Sequence, residues 1–554
     1  RNHREFLMVL SELANRRQVE ILGGAYYNPL LPAILPVDRV GQIEMFTTAL
    51  RRHTGKRPRG MVVPNNAWEP GLVSSLRTCS MDFVMMDTRL IPQDKRCFLP
   101  YIVQEQGKIL YVLGQDQQLL PFSGDEGIVP PRDYLSRLEA QALAACSDTE
   151  NPLVCCSLSL DQINKLLDDQ WLQELDATVS QRQGRWAFRW TLPSRYIKDT
   201  QHFQRTYIPA GILLTEGRAA MTGGGTILNP YDYLLREPTT YRLYSKMMHV
   251  SLLVSQSRGD KGRRKLVREL LMEAQAGESY RPHLTEASLM SQGHACRCLL
   301  QAEKVVREFS GFFDSVTTYD YDADGLREYI CQFQPFNAYI QRRGGSIFEF
   351  DVFHTFRNYA GSGTGLFLDY FLDDCSSPRD TAFSRQLYKE RSFDGKRRDI
   401  QLVARGSVGQ GSQPVNLKKN YVVSPDGILV QYIIRNEGDQ PLRQVFAVES
   451  HLQLEAAGTD SLDTELICGQ QEELQVFHSH LPQDRGRDVS QVRFSDQDLS
   501  FVFVLNEQAT LKMRACDGSL LVSLCWQVDI PPQREVEKNI SFTVMPRKPS
   551  KRLR

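Results

Sequence analysis

Short hydrophobic runs alternate with amphipathic stretches over residues 1–240. In residues 4–17 (REFLMVLSELANRR), apolar positions recur at spacings of three and four, which predicts an amphipathic helix. Residues 19–24 (VEILGG) predict a buried strand closed by glycines. The same reasoning predicts helices over 40–55 and 69–80, and strands over 59–64, 82–87 and 151–160. Such alternation indicates a parallel sheet covered by helices, either a barrel or a doubly wound sheet.

The pattern changes twice after residue 240. Residues 240–310 keep helical spacing, as in HACRCLLQAEKVVREF (294–309). Beyond 313 the chain is all-β, with Asp426-Gly427 and Asp517-Gly518 beside apolar runs that predict hairpins. We therefore expect a multidomain α/β plus β protein. Its predicted parts are an α/β domain (1–240), a helical domain (241–312), a β-sandwich (313–548) and a basic tail (549–554).

Composition narrows the class of protein. The 66 basic and 66 acidic residues cancel, so charge gives no reason to expect nucleic acid or a membrane surface as a partner. No run approaches the roughly 18 apolar residues of a membrane helix. Twelve cysteines are too few for a disulfide scaffold, and Cys155-Cys156 has no matching second pair. We expect reduced thiols, a cytoplasmic location, and neither a metal nor another cofactor.

One strand end carries unusual chemistry. Residues 60–70 read GMVVPNNAWEP, a buried strand that enters a short loop. Enzymes place catalytic carboxylates in such loops, often beside an aromatic ring. Here the loop presents Asn65 and Asn66, followed by Trp68 and Glu69. The loop therefore holds amides where carboxylates are expected.

Four stretches resemble glycoside hydrolase family 57. Residues 20–43 (EILGGAYYNPLLPAILPVDRVGQI) are similar to the family's EI-x-GGGFYEPILP…DRVGQI, and residues 56–76 (KRPRGMVVPNNAWEPGLVSSL) to its RPRG…ERVWEP…SL. Residues 344–360 and 446–454 resemble the C-terminal part of the 4-α-glucanotransferase and α-amylase branch. The resemblance implies an incomplete (β/α) barrel, a helical segment and a C-terminal β-sandwich. It also implies retaining chemistry on α-1,4-glucans, which uses two carboxyl groups.

The resemblance places the family's catalytic positions on residues that are not acids. The nucleophile of ERVWEP falls on Asn65, and the acid/base position falls on Ser157 or an immediate neighbour. The glutamate of GFYEP falls on Asn28, whereas Trp68 and Glu69 are kept as substrate-binding candidates.

Two further features depart from the family pattern. The family's aromatic and histidine positions in the helical region fall near 280–283 and are only partly kept. The family's first strand, with its His-Gln-Pro motif, is not found, so we expect a barrel that lacks its first βα unit.

Each candidate has a plainer structural alternative. Glu69, four residues past Asn65, and Asp161, four past Ser157, could replace the lost carboxylates, but each also suits the first turn of a helix. Trp68 could stack on a glucose ring or pack against the barrel rim. The asparagines could bind sugar hydroxyls or serve turns.

Three functions therefore stay open. The first is a catalytically inactive glucanotransferase-like protein that at most binds α-glucan or acts as a regulatory partner. The second is an active 4-α-glucanotransferase or α-amylase that uses displaced carboxylates or an upstream segment. The third is the product of a decaying reading frame with a structural role or none, which the intact β pattern argues against.

Overall fold

The computed structural model describes fourteen stretches of the chain. They are residues 4–92, 98–122, 127–145, 152–181, 188–214, 226–282, 285–360, 365–374, 382–409, 412–454, 462–468, 473–477, 486–516 and 519–547. The chain divides into two compact units. Unit 1 contains Arg1–Ser251 and Leu271–Ala295, and unit 2 contains Leu252–Leu270 and Cys296–Arg554.

Helices and short strands alternate through the first 235 residues. The helices are α1 (Arg4–Asn15), α2 (Pro36–Thr54), α3 (Leu72–Thr78), α4 (Pro131–Ala145), α5 (Leu160–Asp168), α6 (Trp171–Gln181), α7 (Pro193–Asp199) and α8 (Pro230–Leu235). The strands are β1 (Gly60–Val62), β2 (Ala67–Trp68), β3 (Phe83–Asp87), β4 (Tyr101–Glu105), β5 (Lys108–Gln115), β6 (Gln204–Arg205), β7 (Gly211–Leu214) and β8 (Thr226–Leu228).

The strands of unit 1 form two open sheets. The larger has the order β1-β3-β5-β4-β6, and the smaller has the order β2-β7-β8. β1, β3 and β5 run parallel, whereas β4 is antiparallel to β5. Gly60 begins β1 without a side chain because the Phe83 ring packs where a Cβ would sit, 2.1 Å from that position. The predicted mixed α/β class is confirmed, and a barrel stays a prediction.

Two predicted strands form less than expected. Residues 19–24 contribute a single bridge, between Gly23 and Met61 of β1. Residues 152–159 form no strand, so the prediction of a strand over 151–160 is wrong for this stretch. One backbone hydrogen bond joins the segment to each of two neighbours. The Leu153 N–H donates to the Phe98 carbonyl (2.7 Å), and the Asp116 N–H donates to the Cys155 carbonyl (3.2 Å).

Three long helices follow, as predicted. They are α9 (Pro238–Gln256), α10 (Lys261–Ala274) and α11 (Glu286–Ser310). Each of the two units contains parts of these helices. The predicted division into three domains stays a prediction. No helix of the described ranges is both long and apolar enough to cross a membrane.

Beyond residue 310 the described chain consists almost entirely of antiparallel strands. They are β9 (Ser315–Tyr319), β10 (Glu328–Gln332), β11 (Phe336–Ile340), β12 (Ile347–Val352), β13 (Arg357–Asn358), β14 (Leu368–Leu372), β15 (Lys389–Asp394), β16 (Asp399–Val408), β17 (Gln413–Ser424), β18 (Gly427–Asn436), β19 (Leu442–Leu452), β20 (Asp463–Cys468), β21 (Glu473–Phe477), β22 (Arg487–Ser495), β23 (Leu499–Cys516), β24 (Ser519–Ile530) and β25 (Glu535–Pro546), with one short helix, α12 (Ala382–Arg385).

These strands form a five-stranded sheet (β9–β13) and a twelve-stranded sheet (β14–β25). One cluster of buried residues draws on both, with Phe350 from the smaller sheet and Phe446 and Phe542 from the larger. The hairpin predicted at Asp426-Gly427 joins β17 to β18. β23 and β24 pair at Cys516 and Ser519, and the predicted turn residues 517–518 lie outside the described residues. The all-β prediction is confirmed; a sandwich stays a prediction.

Candidate glycoside-hydrolase-like site

The parallel strands bring their carboxyl ends to one edge of the sheet of unit 1. β1 is followed by a 3₁₀ turn over Pro64–Asn66, β3 ends at Asp87, and β5 is followed by Asp116. Ligand sites of α/β proteins lie at this edge because the loops there are free to vary. The candidate site predicted around Asn65 therefore has the expected position in the fold.

Asn65 and Asn28 lie side by side. The Asn65 Nδ2 group donates to the backbone carbonyls of Asn28 (2.6 Å) and Pro29 (3.3 Å), and the Asn28 amide donates to Asn65 Oδ1 (3.4 Å). Asn28, Asn65 and Asn66 all have left-handed backbones, with φ of 48°, 53° and 47°. Asparagine tolerates this conformation better than most residues, so the amides have structural reasons to be here.

A third segment closes over the asparagine pair. Gly277 opens a 3₁₀ turn over Gly277–Tyr280, and a Cβ there would lie 2.4 Å from the Asn28 carbonyl oxygen and 2.6 Å from Asn65 Nδ2. Only glycine allows this approach. In the stretch matched to the family's aromatic and histidine positions, the Tyr280 hydroxyl donates to the Ala274 carbonyl (2.9 Å), and residue 283 lies outside the described residues.

Ser157 lies on the exposed side of its segment, whereas its neighbours point inward. Cys155 packs against a cluster that contains Phe83 and Met85, and Cys156 packs against a second cluster. Burial raises the pKa of the Cys155 thiol to about 12 and also raises that of Cys156, so both stay protonated near neutral pH. The segment therefore supplies neither a carboxylate nor a thiolate.

Trp68 has a packing role. Its side chain is 1% exposed, and its indole N–H donates to the Ile208 carbonyl (3.1 Å). The residue also lies in β2, paired with Gly211 of β7. A ring this buried presents no face to a sugar, so the expectation that Trp68 stacks on glucose is corrected in favour of its structural alternative.

Glu69 forms an ion pair in place of the predicted helix cap. Its carboxylate lies 2.6 Å from the Arg39 guanidinium, which also donates to the carbonyls of Ile34 (2.9 Å) and Pro32 (3.0 Å). α3 begins three residues later, after Gly71, without a side-chain cap. Asp161 lies in the first turn of α5, as its structural alternative predicts, and Ser159 caps that helix.

Further residues of the DRVGQI motif are held inside unit 1. Asp38 accepts hydrogen bonds from Ser251 (2.5 Å) and Gln275 (2.8 Å), and Gln42 donates to the Met272 carbonyl (2.8 Å). Both Asp38 and Gln42 are buried. The motif that carries part of the family resemblance thus ties α2 to the residues around 251 and 271–275.

Two strand-end aspartates were missed by the sequence reasoning. Asp87 is 5% exposed, and both of its oxygens accept from Arg89, at 2.9 Å (Nε) and 2.8 Å (Nη2). Hydrogen bonding to Asp87 raises the pKa of Arg89, and the charge of Asp116 adds to the effect. Asp116 accepts from the Gln118 N–H (2.9 Å). The signal was present in the sequence, since Asp87 ends one buried strand and Asp116 follows another.

The fold is that of a glucanotransferase. The crystal structure of 4-alpha-glucanotransferase from Thermococcus litoralis matches 98% of this chain and 90% of that chain, with a TM-score of 0.71 at 17% identity. Residues 1–208 match the profile described as Glycosyl hydrolase family 57, so the chain carries a domain of that family, as the motifs predict.

Curated relatives bear related names. Alpha-amylase 1 from Dictyoglomus thermophilum is 23% identical over 395 residues, which cover 63% of this chain and 55% of the relative. The 4-alpha-glucanotransferase from Thermococcus kodakarensis is 33% identical over 129 residues, which cover 22% of this chain and 19% of the relative. Over the longer of these matches, the chain spans about half the length of the relative.

Proposed function

We propose that this protein is a catalytically inactive relative of 4-α-glucanotransferases and α-amylases that at most binds α-glucan weakly. One observation carries the proposal: Asn65, which the motif resemblance places at the family's nucleophile position, donates its amide to two backbone carbonyls. A carboxylate cannot donate these bonds. The position is therefore built for a donor, whereas retaining chemistry needs a nucleophilic acid.

The chemistry of the reaction makes this loss severe. Retaining glycosidases use two carboxyl groups roughly 5–5.5 Å apart, one as nucleophile and one as acid/base. An amide cannot form the usual glycosyl ester, so removing the nucleophile removes the covalent pathway itself. The exposed Ser157 supplies no acid at the second position, where general acid–base help alone is worth about 10²–10⁴-fold.

The nearest candidate replacements are engaged elsewhere. Asp87 is bound through both oxygens by Arg89, and Glu69 is paired with Arg39. Using either as a nucleophile would leave a guanidinium without its partner, and Arg39 is itself 7% exposed. The alternative, an active transferase or amylase with displaced carboxylates, finds its support in Asp87 and Asp116, which share the sheet edge with Asn65.

Product analysis on defined substrates separates these functions. The purified full chain is incubated at length with maltoheptaose and with amylose, and the products are resolved by chromatography. We expect unchanged substrate. New oligomer lengths that vanish in Asp87→Asn or Glu69→Gln, with circular dichroism unchanged, would contradict the proposal and favour the displaced-carboxylate alternative.

Weak glucan binding needs an aromatic surface other than Trp68. Tyr231 is 42% exposed, its hydroxyl lies 2.6 Å from that of Tyr241, and their rings are 5.9 Å apart. Tyr244 packs beside Tyr241, with centroids 5.9 Å apart. Burial raises the pKa of Tyr244, and the charges of Tyr231 and Glu69 add smaller contributions in the same direction. Stacking of one sugar ring contributes about 1 kcal/mol.

Affinity electrophoresis in gels that contain amylose tests this binding. We expect slight retardation of the wild type, which Tyr231→Ala abolishes and Trp68→Phe leaves unchanged. Equal migration of all proteins with and without amylose would remove glucan binding from the proposal. That result would leave the absence of turnover standing.

A further inference from the structure

The turn between β9 and β10 concentrates acidic residues. Residues 320–328 read DYDADGLRE, with aspartates at positions 1, 3 and 5 of the turn and Gly325 at position 6. Gly325 has φ of 88°, a conformation that favours glycine. The spacing equals the first half of an EF-hand calcium loop, D-x-[DN]-x-[DN]-G. Position 12, where EF-hands carry a glutamate, is Cys331 here.

The fold gathers three of these carboxylates. One oxygen each from Asp320, Asp322 and Glu328 lies within 4.8 Å of the others. Backbone N–H groups fix the side chains: Gly325 donates to Asp320 (3.1 Å), and Tyr321 donates to Glu328 Oε2 (2.8 Å). The hairpin therefore holds three carboxyl groups together in a defined arrangement.

Glu328 distinguishes this turn from an ordinary acidic loop. It begins β10 and is 3% exposed, and within the described ranges neither a lysine, an arginine nor a histidine pairs with it. Its Oε1 accepts no hydrogen bond from any described residue. A buried carboxylate among other acids needs a compensating positive charge.

We propose that the β9–β10 turn binds Ca²⁺ through Asp320, Asp322 and Glu328, with Asp324 completing the acidic set. The donors are all hard oxygens, which suit Ca²⁺ or Mg²⁺ and not zinc or copper. A turn that offers several carboxylates at once favours Ca²⁺, because Mg²⁺ demands a near-octahedral shell and keeps most of its waters. The ion would neutralise Glu328 and tie the loop to the start of β10.

Terbium luminescence and thermal unfolding of the full chain test the site. Tb³⁺ replaces Ca²⁺ on oxygen ligands, and Tyr319 and Tyr321, whose ring centroids are 6.3 Å apart, flank the turn as donors for energy transfer. After removal of metal with EGTA, we expect saturable luminescence excited at tyrosine wavelengths. Ca²⁺ should displace it, equal Mg²⁺ should not, and Ca²⁺ should raise Tm. A wild type without saturable luminescence and without a Tm rise would overturn the proposal.

Matched variants locate the ion. Asp320→Asn and Glu328→Gln should each weaken the apparent affinity by about tenfold or more, since affinity follows the charge of the ligands. Asp394→Asn is the control, because Asp394 accepts from the N–H groups of Lys396 and Arg397 in another hairpin turn. Equal loss in the control, or unchanged affinity in both site variants with intact circular dichroism, would assign the signal to general surface charge.

Discussion

Replacing Asn65 with aspartate should destabilise unit 1 in a pH-dependent way. The substitution keeps the shape of the side chain and replaces the donating NH₂ group by an oxygen. At neutral pH that oxygen would face the Asn28 carbonyl, which now receives a hydrogen bond of 2.6 Å. A lost hydrogen bond costs about 0.5–1.5 kcal/mol, and an unsatisfied partner adds to that cost, so we expect about 2 kcal/mol at pH 7.

The sign of the pH dependence follows from the same geometry. A protonated aspartic acid can donate its O–H to the Asn28 carbonyl, whereas the carboxylate cannot. The introduced acid should therefore have a folded-state pKa above its unfolded value of roughly 3.9. Such a group contributes stability below the unfolded pKa and loses it as pH rises through the folded pKa. The deficit of the Asn65→Asp variant should be small near pH 3.5 and complete near pH 7.

Urea unfolding followed by tryptophan fluorescence measures the effect, since Trp68, Trp171 and Trp190 lie in unit 1. Asn66→Asp is the matched control. It adds the same charge one residue later at nearly the same φ, and among described residues its side chain makes no hydrogen bond. Equal destabilisation of both variants, or a deficit that does not change between pH 3.5 and 7, would refute the donor role of Asn65.

Three further predictions concern the stability of the two units. Gly277→Ala should lower the stability of unit 1 by about 1–3 kcal/mol, because the new methyl group overlaps both the Asn28 carbonyl and the Asn65 amide. Asn65→Ala removes the second of these overlaps and should partly relieve the loss, so strict additivity in a double-mutant cycle would contradict the contact. Trp68→Phe should cost about 1–3 kcal/mol in urea unfolding by leaving the buried Ile208 carbonyl unsatisfied, and an unchanged midpoint would count against that hydrogen bond. In unit 2, Lys419→Met should cost about 3–5 kcal/mol in thermal unfolding because it leaves the buried Asp369 carboxylate without its ion-pair partner. Adding Asp369→Leu should recover much of the loss, and a double variant that is no more stable than the single one would contradict this.

Aligning two motifs with one family made Asn28 and Asn65 candidates for the same site. It did not predict the hydrogen bonds between them, because these depend on where the carbonyls of residues 28 and 29 point, and motif spacing carries no information about that. The same limit applies to Trp68. Its two roles differ only in burial, and burial depends on β7, which is more than 140 residues further along the chain.

The segment around Ser157 shows how a correct pattern led to a wrong element. Leu153 and Cys155 pack in one cluster, and Val154 and Cys156 in another, so the alternation typical of a strand is present. The ladder of backbone hydrogen bonds that defines a strand is missing, since the segment has one backbone hydrogen bond to Asp116 and one to Phe98. Side-chain periodicity reports which faces are buried, whereas strand assignment depends on neighbouring backbones.

The polarity of the Asn28–Asn65 pair also constrains the order in which substitutions can accumulate at this site. A single change of Asn65 to an acid meets two carbonyl oxygens and the backbone of Gly277 before it can gain any catalytic benefit. At neutral pH the cost of an acid falls only after the turn at residue 28 or the segment at residue 277 has moved. Under the proposed function, a path from the amide to a nucleophile therefore includes backbone changes that are distant in sequence from residue 65.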